Sequence, residues 1–327
     1  MAGNGNAETV DAVVIGRNEG ARLAACLQSL AGQVRRVIYV DSGSTDGSVA
    51  LAEAAGAEVV RLDTLRPFTA ARARNAGLDA LATDPPRFVQ FVDGDCAVDP
   101  GWIAAALAHM AAHPQAGVVC GRRRERFPGA SVYNRLADAE WDTPVGPAAA
   151  CGGDALMRHA AVAAAGGYRP DLIAGEEPEL CLRLRRAGWQ IWRIGAEMTL
   201  HDAAMTRFGQ WWWRTKRAGH AFAEGAALHG AGPERHWVAE TRRALLWGLA
   251  LPTAAGVGAL VLHPAALLLL LAWPLQVVRL ARRWGGGRRG WERAAFTVLG
   301  KLPEALGVLG YWTGRLRGRQ RGLIEYK

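Results

Sequence analysis

Several things are scarce or missing in this chain, and each narrows the reading. The five cysteines (Cys26, Cys96, Cys120, Cys151, Cys181) show no CxxC spacing, which leaves no CxxC metal or redox motif. Their odd number argues against a disulfide framework, and they read as reduced thiols filling small apolar sites. No glycine-rich loop of the P-loop type is present, so a nucleotide phosphate has to be neutralised by other means. The first residues lack a basic stretch followed by an apolar run and a cleavage site, so no signal peptide is expected. Acidic residues thin out sharply along the chain. Residues 1–202 hold 20 Lys+Arg and 24 Asp+Glu, whereas residues 203–327 hold 19 and 6. Such a basic third suits nucleic acid or an anionic membrane surface, and its apolar runs favour the membrane.

What is present is a large apolar fraction. Half of the 327 residues are hydrophobic, which excludes global disorder and allows one large core or two smaller ones. Short apolar runs at Ala12–Ile15, Val37–Val40, Glu58–Leu62 and Phe88–Val92 read as buried strands. Helical periodicity at Ala21–Leu30, Ser48–Ala55, Ala70–Ala82 and Trp102–Ala112 separates and follows them. Strand-helix alternation at this pace predicts an α/β fold with a doubly wound, mostly parallel sheet. Ligands of such sheets sit at the carboxyl ends of the strands, where Arg17-Asn18-Glu19, Asp41-Ser42 and Asp93-Gly94-Asp95 all fall. The last of these ends an apolar strand with two carboxylates, a hard oxygen pair suited to Mg²⁺ or Mn²⁺ carrying a phosphate. Further on, a strand is expected over Val118–Arg126, irregular chain over 130–150 and a helix over Ala155–Ala165. An amphipathic helix over Glu179–Ala187 and a strand over Gln190–Ile194 follow.

The basic third carries two uncharged runs, Ala244–Leu262 and Ala265–Val278, separated by His263-Pro264. The first has the length of a bilayer crossing and the second is short, so a tight membrane hairpin over 244–280 is the simplest geometry. Arginines flank both ends, which places both in the cytoplasm by the positive-inside rule. A third segment, 294–312, is broken by Lys301 and Glu304 and reads as interfacial, with a basic tail from Arg315 to Arg321 suited to anionic headgroups.

The order of motifs over residues 10–202 resembles the inverting family 2 glycosyltransferases of the GT-A fold. Val13-Val14-Ile15-Gly16-Arg17-Asn18-Glu19 is similar to the opening strand and its turn. Val40-Asp41-Ser42-Gly43-Ser44-Thr45-Asp46-Gly47 is similar to the family's Val-Asp-Asp-Gly-Ser-Thr-Asp-Gly stretch, and Ala73-Arg74-Asn75-Ala76-Gly77 to its Ala-Arg-Asn-x-Gly helix start. Asp93-Gly94-Asp95 corresponds to the metal motif, and Gly175-Glu176-Glu177-Pro178-Glu179-Leu180 to the segment carrying the catalytic base.

The resemblance implies a nucleotide-sugar donor bound by Asn18, Glu19, Asp41, Ser42, Asp93 and either Arg72 or Arg74. It implies a divalent metal, Mg²⁺ or Mn²⁺, on Asp95 with Asp93, and His201 as an added metal ligand or diphosphate contact. Glu177 is the expected base, with Glu176 beside it as the competing carboxylate; the family usually has Asp there. Cys151-Gly152-Gly153-Asp154 resembles an acceptor loop, giving Gly153 and Asp154 as acceptor contacts. Arg214, after Trp211-Trp212-Trp213, faces either the diphosphate or lipid. Phe208–Arg214 is only loosely similar to the Gln-x-x-Arg-Trp motif of processive synthases, and its residue order differs.

The expected organisation is a GT-A domain over 1–205, with a nucleotide-sugar half at 10–100 and an acceptor half at 101–205. Linker helices at 206–243, the hairpin and an interfacial region at 281–327 follow. The expected activity is sugar transfer to a lipid-linked or polysaccharide-precursor acceptor at the cytoplasmic face of a bacterial-type inner membrane. A polyprenyl-phosphate glycosyl synthase is the alternative, and a nonenzymatic nucleotide-sugar binding module is the competing class. Membrane lipids are expected partners and nucleic acid is not; no protein partner is implied.

Overall fold

The computed structural model describes residues 9–318, which fall into two compact units: 9–130 with 137–204, and 131–136 with 205–318. The first unit is built on a nine-stranded sheet. Its strands are β1 (Val10–Gly16), β2 (Val37–Asp41), β3 (Glu58–Arg61), β4 (Phe88–Asp93), β5 (Cys96–Val98), β6 (Ala116–Glu125), β7 (Gly146–Pro147), β8 (Ala155–Arg158) and β9 (Gln190–His201). The order is β3-β2-β1-β4-β8-β6-β9-β5, with β7 paired to β9. The β3-β2-β1-β4 half is parallel, because helices α1 (Ala21–Leu30), α2 (Ser48–Ala54) and α3 (Ala70–Ala80) carry the chain back each time. Its inner strands β1 and β2 are apolar on both faces: Ala12, Val13, Val14, Ile38, Tyr39 and Val40 are fully buried.

Register brings the polar clusters to one edge. Gly16 pairs with Asp41 and Ile15 with Asp93, so the chain leaves β1, β2 and β4 side by side. Past β4 the sheet is mixed. β8 runs antiparallel between β4 and β6, and β9 runs parallel to β6 and antiparallel to β5. That pairing sets His201 opposite both Cys96 and Glu125. Helices α4 (Trp102–Ala112), α5 (Val132–Trp141), α6 (His159–Ala164) and α7 (Glu176–Arg186) complete the set up to β9, and the division between units falls within α5.

The doubly wound, mostly parallel core agrees with the sequence reading, and four local expectations are corrected. Residues 132–141, expected irregular, form α5, whose start is fixed by the Ser131 hydroxyl accepting the Asn134 N–H at 2.9 Å. Residues 155–158, expected helical, are a strand, because Ala155, Leu156 and Met157 are fully buried between two neighbours. α7 begins at Glu176, three residues early, after Gly175 at φ 83°. β9 continues seven residues beyond Ile194 because β6 and β5 flank its second half.

The second unit is helical: α8 (Phe208–His229), α9 (Val238–Leu245), α10 (Leu251–Val261), α11 (Ala272–Arg283), α12 (Gly287–Leu299) and α13 (Lys301–Leu316). A π-helical turn, Leu246–Ala250, fuses α9 to α10, and a 3₁₀ segment, Pro264–Leu271, leads into α11. The resulting helices Val238–Val261 and Pro264–Arg283 are long and apolar enough to cross a membrane. The segment 294–312, expected as one interfacial stretch, is parts of two helices broken at Gly300. α13 packs so closely on α8 that a Cβ at Gly219 would overlap the Glu304 backbone and one at Gly307 the Lys216 carbonyl. Its opposite face leaves Leu306, Leu309, Trp312 and Leu316 exposed. Residues 319–321 of the expected basic tail lie outside the described residues.

Candidate active site

At the carboxyl edge of the sheet one guanidinium ties three elements together. Arg74, on α3, is 2% exposed. Its Nη1 donates to Glu176 Oε1 at 2.7 Å and lies 3.1 Å from Glu177 Oε1, while Nη2 donates to Asp93 Oδ1 at 3.0 Å. Burial alone would lower its pKa, but the charges of Glu177, Asp93 and Glu176 hold it well above the usual value. Arg123, on β6, reaches the other oxygen of Asp93 at 3.3 Å. Burial pushes the Asp93 carboxyl up, yet Arg74 and Arg123 outweigh it and keep the group below the usual carboxylate value.

Glu176 and Glu177 differ in setting. Glu176 is buried against Arg74, whereas the Glu177 side chain is 15% exposed. Burial, then the Glu176 charge, push Glu177 up to about 7 against the pull of Arg74. A carboxyl poised there can take a proton near neutral pH. The geometry thus separates two carboxylates that adjacent sequence positions leave equivalent.

Asp95 and His201 form a second cluster. His201 Nε2 lies 3.3 Å from Asp95 Oδ1, and its Nδ1 faces Glu125 Oε2 at 3.7 Å. Glu125 is held by the Phe127 and Ala203 N–H groups, both at 3.0 Å. Neighbouring ligands of an octahedral ion with bonds of about 2.1 Å stand about 3 Å apart, so these two donors fit one divalent ion. An imidazole with a carboxylate behind its second nitrogen is the usual support for such a ligand. Cys96 is close to both clusters, and burial raises its thiol well above the usual value.

Asp154, expected at the acceptor, lies fully buried beneath Asp93 instead. It accepts the Asp93 N–H at 3.1 Å and the Thr199 hydroxyl at 2.7 Å. Gly153 lies flush on the cluster: a Cβ there would stand 2.6 Å from Arg74 Nη2 and 2.8 Å from Asp93 Oδ2. Arg72 is not brought to the carboxylates. It donates to the carbonyls of Asp63, Arg66 and Pro67. Arg214 belongs to α8 in the second unit.

At the end of β2, Asp41 Oδ2 accepts the N–H groups of Gly43 and Ser44 at 3.0 Å each, and the Tyr39 hydroxyl meets Oδ1 at 3.2 Å. Ser42 beside it has a buried hydroxyl with no hydrogen-bond partner among the described residues. Asn18, at φ 56°, accepts the Thr45 N–H at 2.7 Å and latches the first turn to the second. Glu19 pairs with Arg22 at 2.7 Å.

Sequence reasoning passed over Arg123, Glu125 and Trp141. The Trp141 ring lies 4.8 Å from the Arg123 guanidinium and edge-on to His201 at 4.7 Å. The alternation Arg122-Arg123-Arg124-Glu125 at a strand end was the available signal for the first two; nothing local marked Trp141.

Residues 11–146 match the family model Glycosyl transferase family 2. That segment of the chain is a family 2 glycosyltransferase domain. Asp154, Glu176, Glu177 and His201 lie beyond the segment that the model matches. Among curated relatives, the domain is similar to a pre-mycofactocin glycosyltransferase of Mycobacterium tuberculosis. The two are 28% identical over 209 residues, which is 59% of this chain and 42% of the relative, so the chain spans about two-fifths of that protein's length. Among solved structures, the chain resembles a mannosyltransferase from Pyrobaculum calidifontis determined with GDP-Man and Mn²⁺. The TM-score is 0.62 at 22% identity, covering 92% of this chain and 86% of that one. TarS of S. aureus gives 0.52 at 14% identity, covering 93% and 55%. The fold of the glycosyltransferase domain is accordingly GT-A, as the motif order implied.

Proposed function

We propose that the protein is an inverting glycosyltransferase. It moves a sugar from a nucleotide-sugar to the hydroxyl of a lipid-linked or glycan acceptor at the cytoplasmic face of a membrane. The observation that carries this reading is the Arg74 junction, which holds Asp93, the first carboxylate of the Asp-x-Asp motif, and the Glu176–Glu177 pair within 3.1 Å of one guanidinium.

The roles follow from the setting of each side chain. Glu177 takes the acceptor hydroxyl's proton, and the freed oxygen attacks the anomeric carbon. The bond from that carbon to the diphosphate breaks with its electron pair leaving on the diphosphate. Glu176 holds Arg74 and is not free to serve as base. Asp93, pinned by Arg74, Arg123 and the Asp154 support beneath it, orients the ribose or a bound water. Asp41, Ser42, Asn18 and Glu19 line the nucleoside side. Asp95 and His201 would hold a divalent cation, which would supply positive charge against the departing diphosphate. The mixed oxygen-nitrogen donor set favours Mn²⁺ over Mg²⁺, since magnesium prefers all-oxygen sites. The mannosyltransferase of similar fold was solved with Mn²⁺, which supports the same choice.

The test is nucleoside diphosphate release across a panel of UDP-, GDP- and dTDP-sugars, with Mn²⁺ or Mg²⁺ and native membrane lipid. One active donor, lost on chelation and in Glu177→Gln, is the expected result. Binding of a donor without turnover under every lipid condition would sink the enzymatic reading.

A further inference from the structure

The apolar runs of the second unit are folded as a hairpin whose arms meet at two levels. Near the turn, a Cβ on Gly258 would stand 2.9 Å from the Ala266 methyl. Further back, the Trp273 indole N–H donates to the Trp247 carbonyl at 3.2 Å. One residue beyond that pair, Gly248 packs directly on the backbone of Lys301, so the hairpin leaves its own helical unit near the two tryptophans. From there to the turn the surface is apolar and open: Leu260, Leu262 and Leu268 are 89%, 84% and 64% exposed.

We propose that this hairpin is re-entrant: it enters one leaflet of an anionic phospholipid bilayer, turns inside the hydrocarbon and leaves on the same side. This rests on the membrane attachment in the function proposed above and adds its geometry. Three observations carry it.

The first is length. From Trp247 to Leu262 there are 15 residue steps, about 22 Å at the α-helical rise. The return arm of eight 3₁₀ residues, Pro264–Leu271, and two more to Trp273 covers about 19 Å. The hydrocarbon core is about 30 Å thick, so the turn passes the midplane and stops short of the far headgroups.

The second is the turn itself. The N–H groups of Leu262 and His263 both donate to the Gly258 carbonyl, that of Ala265 to His263 Nδ1 and that of Ala266 to the His263 carbonyl; Pro264 has none. Every backbone donor from 262 to 266 is therefore bonded within the hairpin, as hydrocarbon demands and water does not.

The third is charge. Arg242, Arg243, Arg279, Arg282, Arg283, Arg288 and Arg289 are all exposed and lie past the tryptophan level on the exit side. Only Glu240 and Glu292 oppose them between residues 238 and 292. A single basic band below an aromatic pair, with none at the turn, matches one anionic surface rather than two.

The test uses the full chain added to preformed sealed vesicles containing phosphatidylglycerol. The native cysteines are all buried, so Leu262→Cys and, as surface control, Arg243→Cys can each be labelled selectively. A membrane-impermeant maleimide is supplied outside or trapped inside. Arg243→Cys is expected to label from outside. Leu262→Cys is expected to label at least tenfold less from either side and to react fully in detergent. A nitroxide at 262 is expected to meet oxygen and to be shielded from a water-soluble nickel reagent. Charge reversal at Arg282 or Arg283 is expected to weaken vesicle binding about fivefold per site.

Labelling of Leu262→Cys by the trapped reagent would show a full crossing and overturn the proposal. Outside labelling at the same rate with and without vesicles would show no insertion. A lipid-free dimer that protects position 262 and does not float with vesicles would assign the surface to a second copy. None of these readouts uses sugar transfer, so this proposal and the proposed activity can fail separately.

Discussion

The two units invert each other's distribution of side chains. In the first, large apolar residues such as Trp102, Phe88, Phe91 and Leu156 are inside, and the outside is mixed. In the second, the interior holds mostly alanines and glycines, among them Ala223, Ala244, Ala255, Ala281 and Ala294, with Trp211, Val308 and Tyr311 beside them, while many leucines face outward. Small residues that bring backbones together and leucines that point away are the pattern that packing in lipid favours, and they support the membrane attachment proposed above. The first unit shows the opposite economy of charge. It buries Arg74, Asp154 and Glu176 around the half-buried Asp93, joined by hydrogen bonds, at the one place where chemistry is proposed.

This contrast can be broken from either side. The largest effect is expected from Glu177→Gln, with a loss of turnover of roughly 10²–10⁴-fold. The same variant should keep its vesicle binding, as flotation would check; loss of both together would mean the units do not act separately.

Next comes Arg74→Ala. Removing one partner from a buried ion cluster destabilises by about 3–5 kcal/mol, here confined to the first unit. Chemical denaturation followed by proteolysis would show which unit melts first.

The pH profile sharpens the role of Glu177. Its carboxyl titrates at about 7, so the deprotonated, active form grows as pH rises and rate should climb through that value. Protonation at lower pH removes the base, so the acidic limb falls. A rate flat from pH 6 to 8, with donor saturating, would exclude this group as base.

Thr199→Val deletes the hydroxyl donated to Asp154, and about 1 kcal/mol is expected to go with it, together with a weaker donor KM through Asp93. The smallest effect is expected from Arg124→Ala. Its pair with Glu197 at 2.6 Å lies nearly half exposed on both sides and contributes at most about 1 kcal/mol, seen as a small shift in Tm.

Much of the first unit was legible because its signals are local. A buried parallel strand needs a continuous apolar run, and a polar break must follow where the sheet ends. That places Asp41, Asp93 and Asp95 at one edge before any coordinates exist. The misread segments failed for the opposite reason. Ala155–Arg158 is short, and its alanine-rich continuation suits a helix; only the neighbours β4 and β6 make it a strand. Asp154 read as a loop residue near an acceptor, whereas strand pairing buries it under Asp93.

The sequence by itself determined the α/β alternation, the carboxylate motif, the division into an acid-balanced and a basic part, and the apolar hairpin. Each follows from composition or short-range periodicity. Only the tertiary structure decided which of two adjacent glutamates is buried against Arg74 and which is poised near neutrality. It also set His201 beside Asp95, 106 residues away in sequence, through the antiparallel pairing of β5 with β9. A pKa and a ligand pair depend on distances between side chains far apart in sequence, and those distances exist only once the sheet has closed its register.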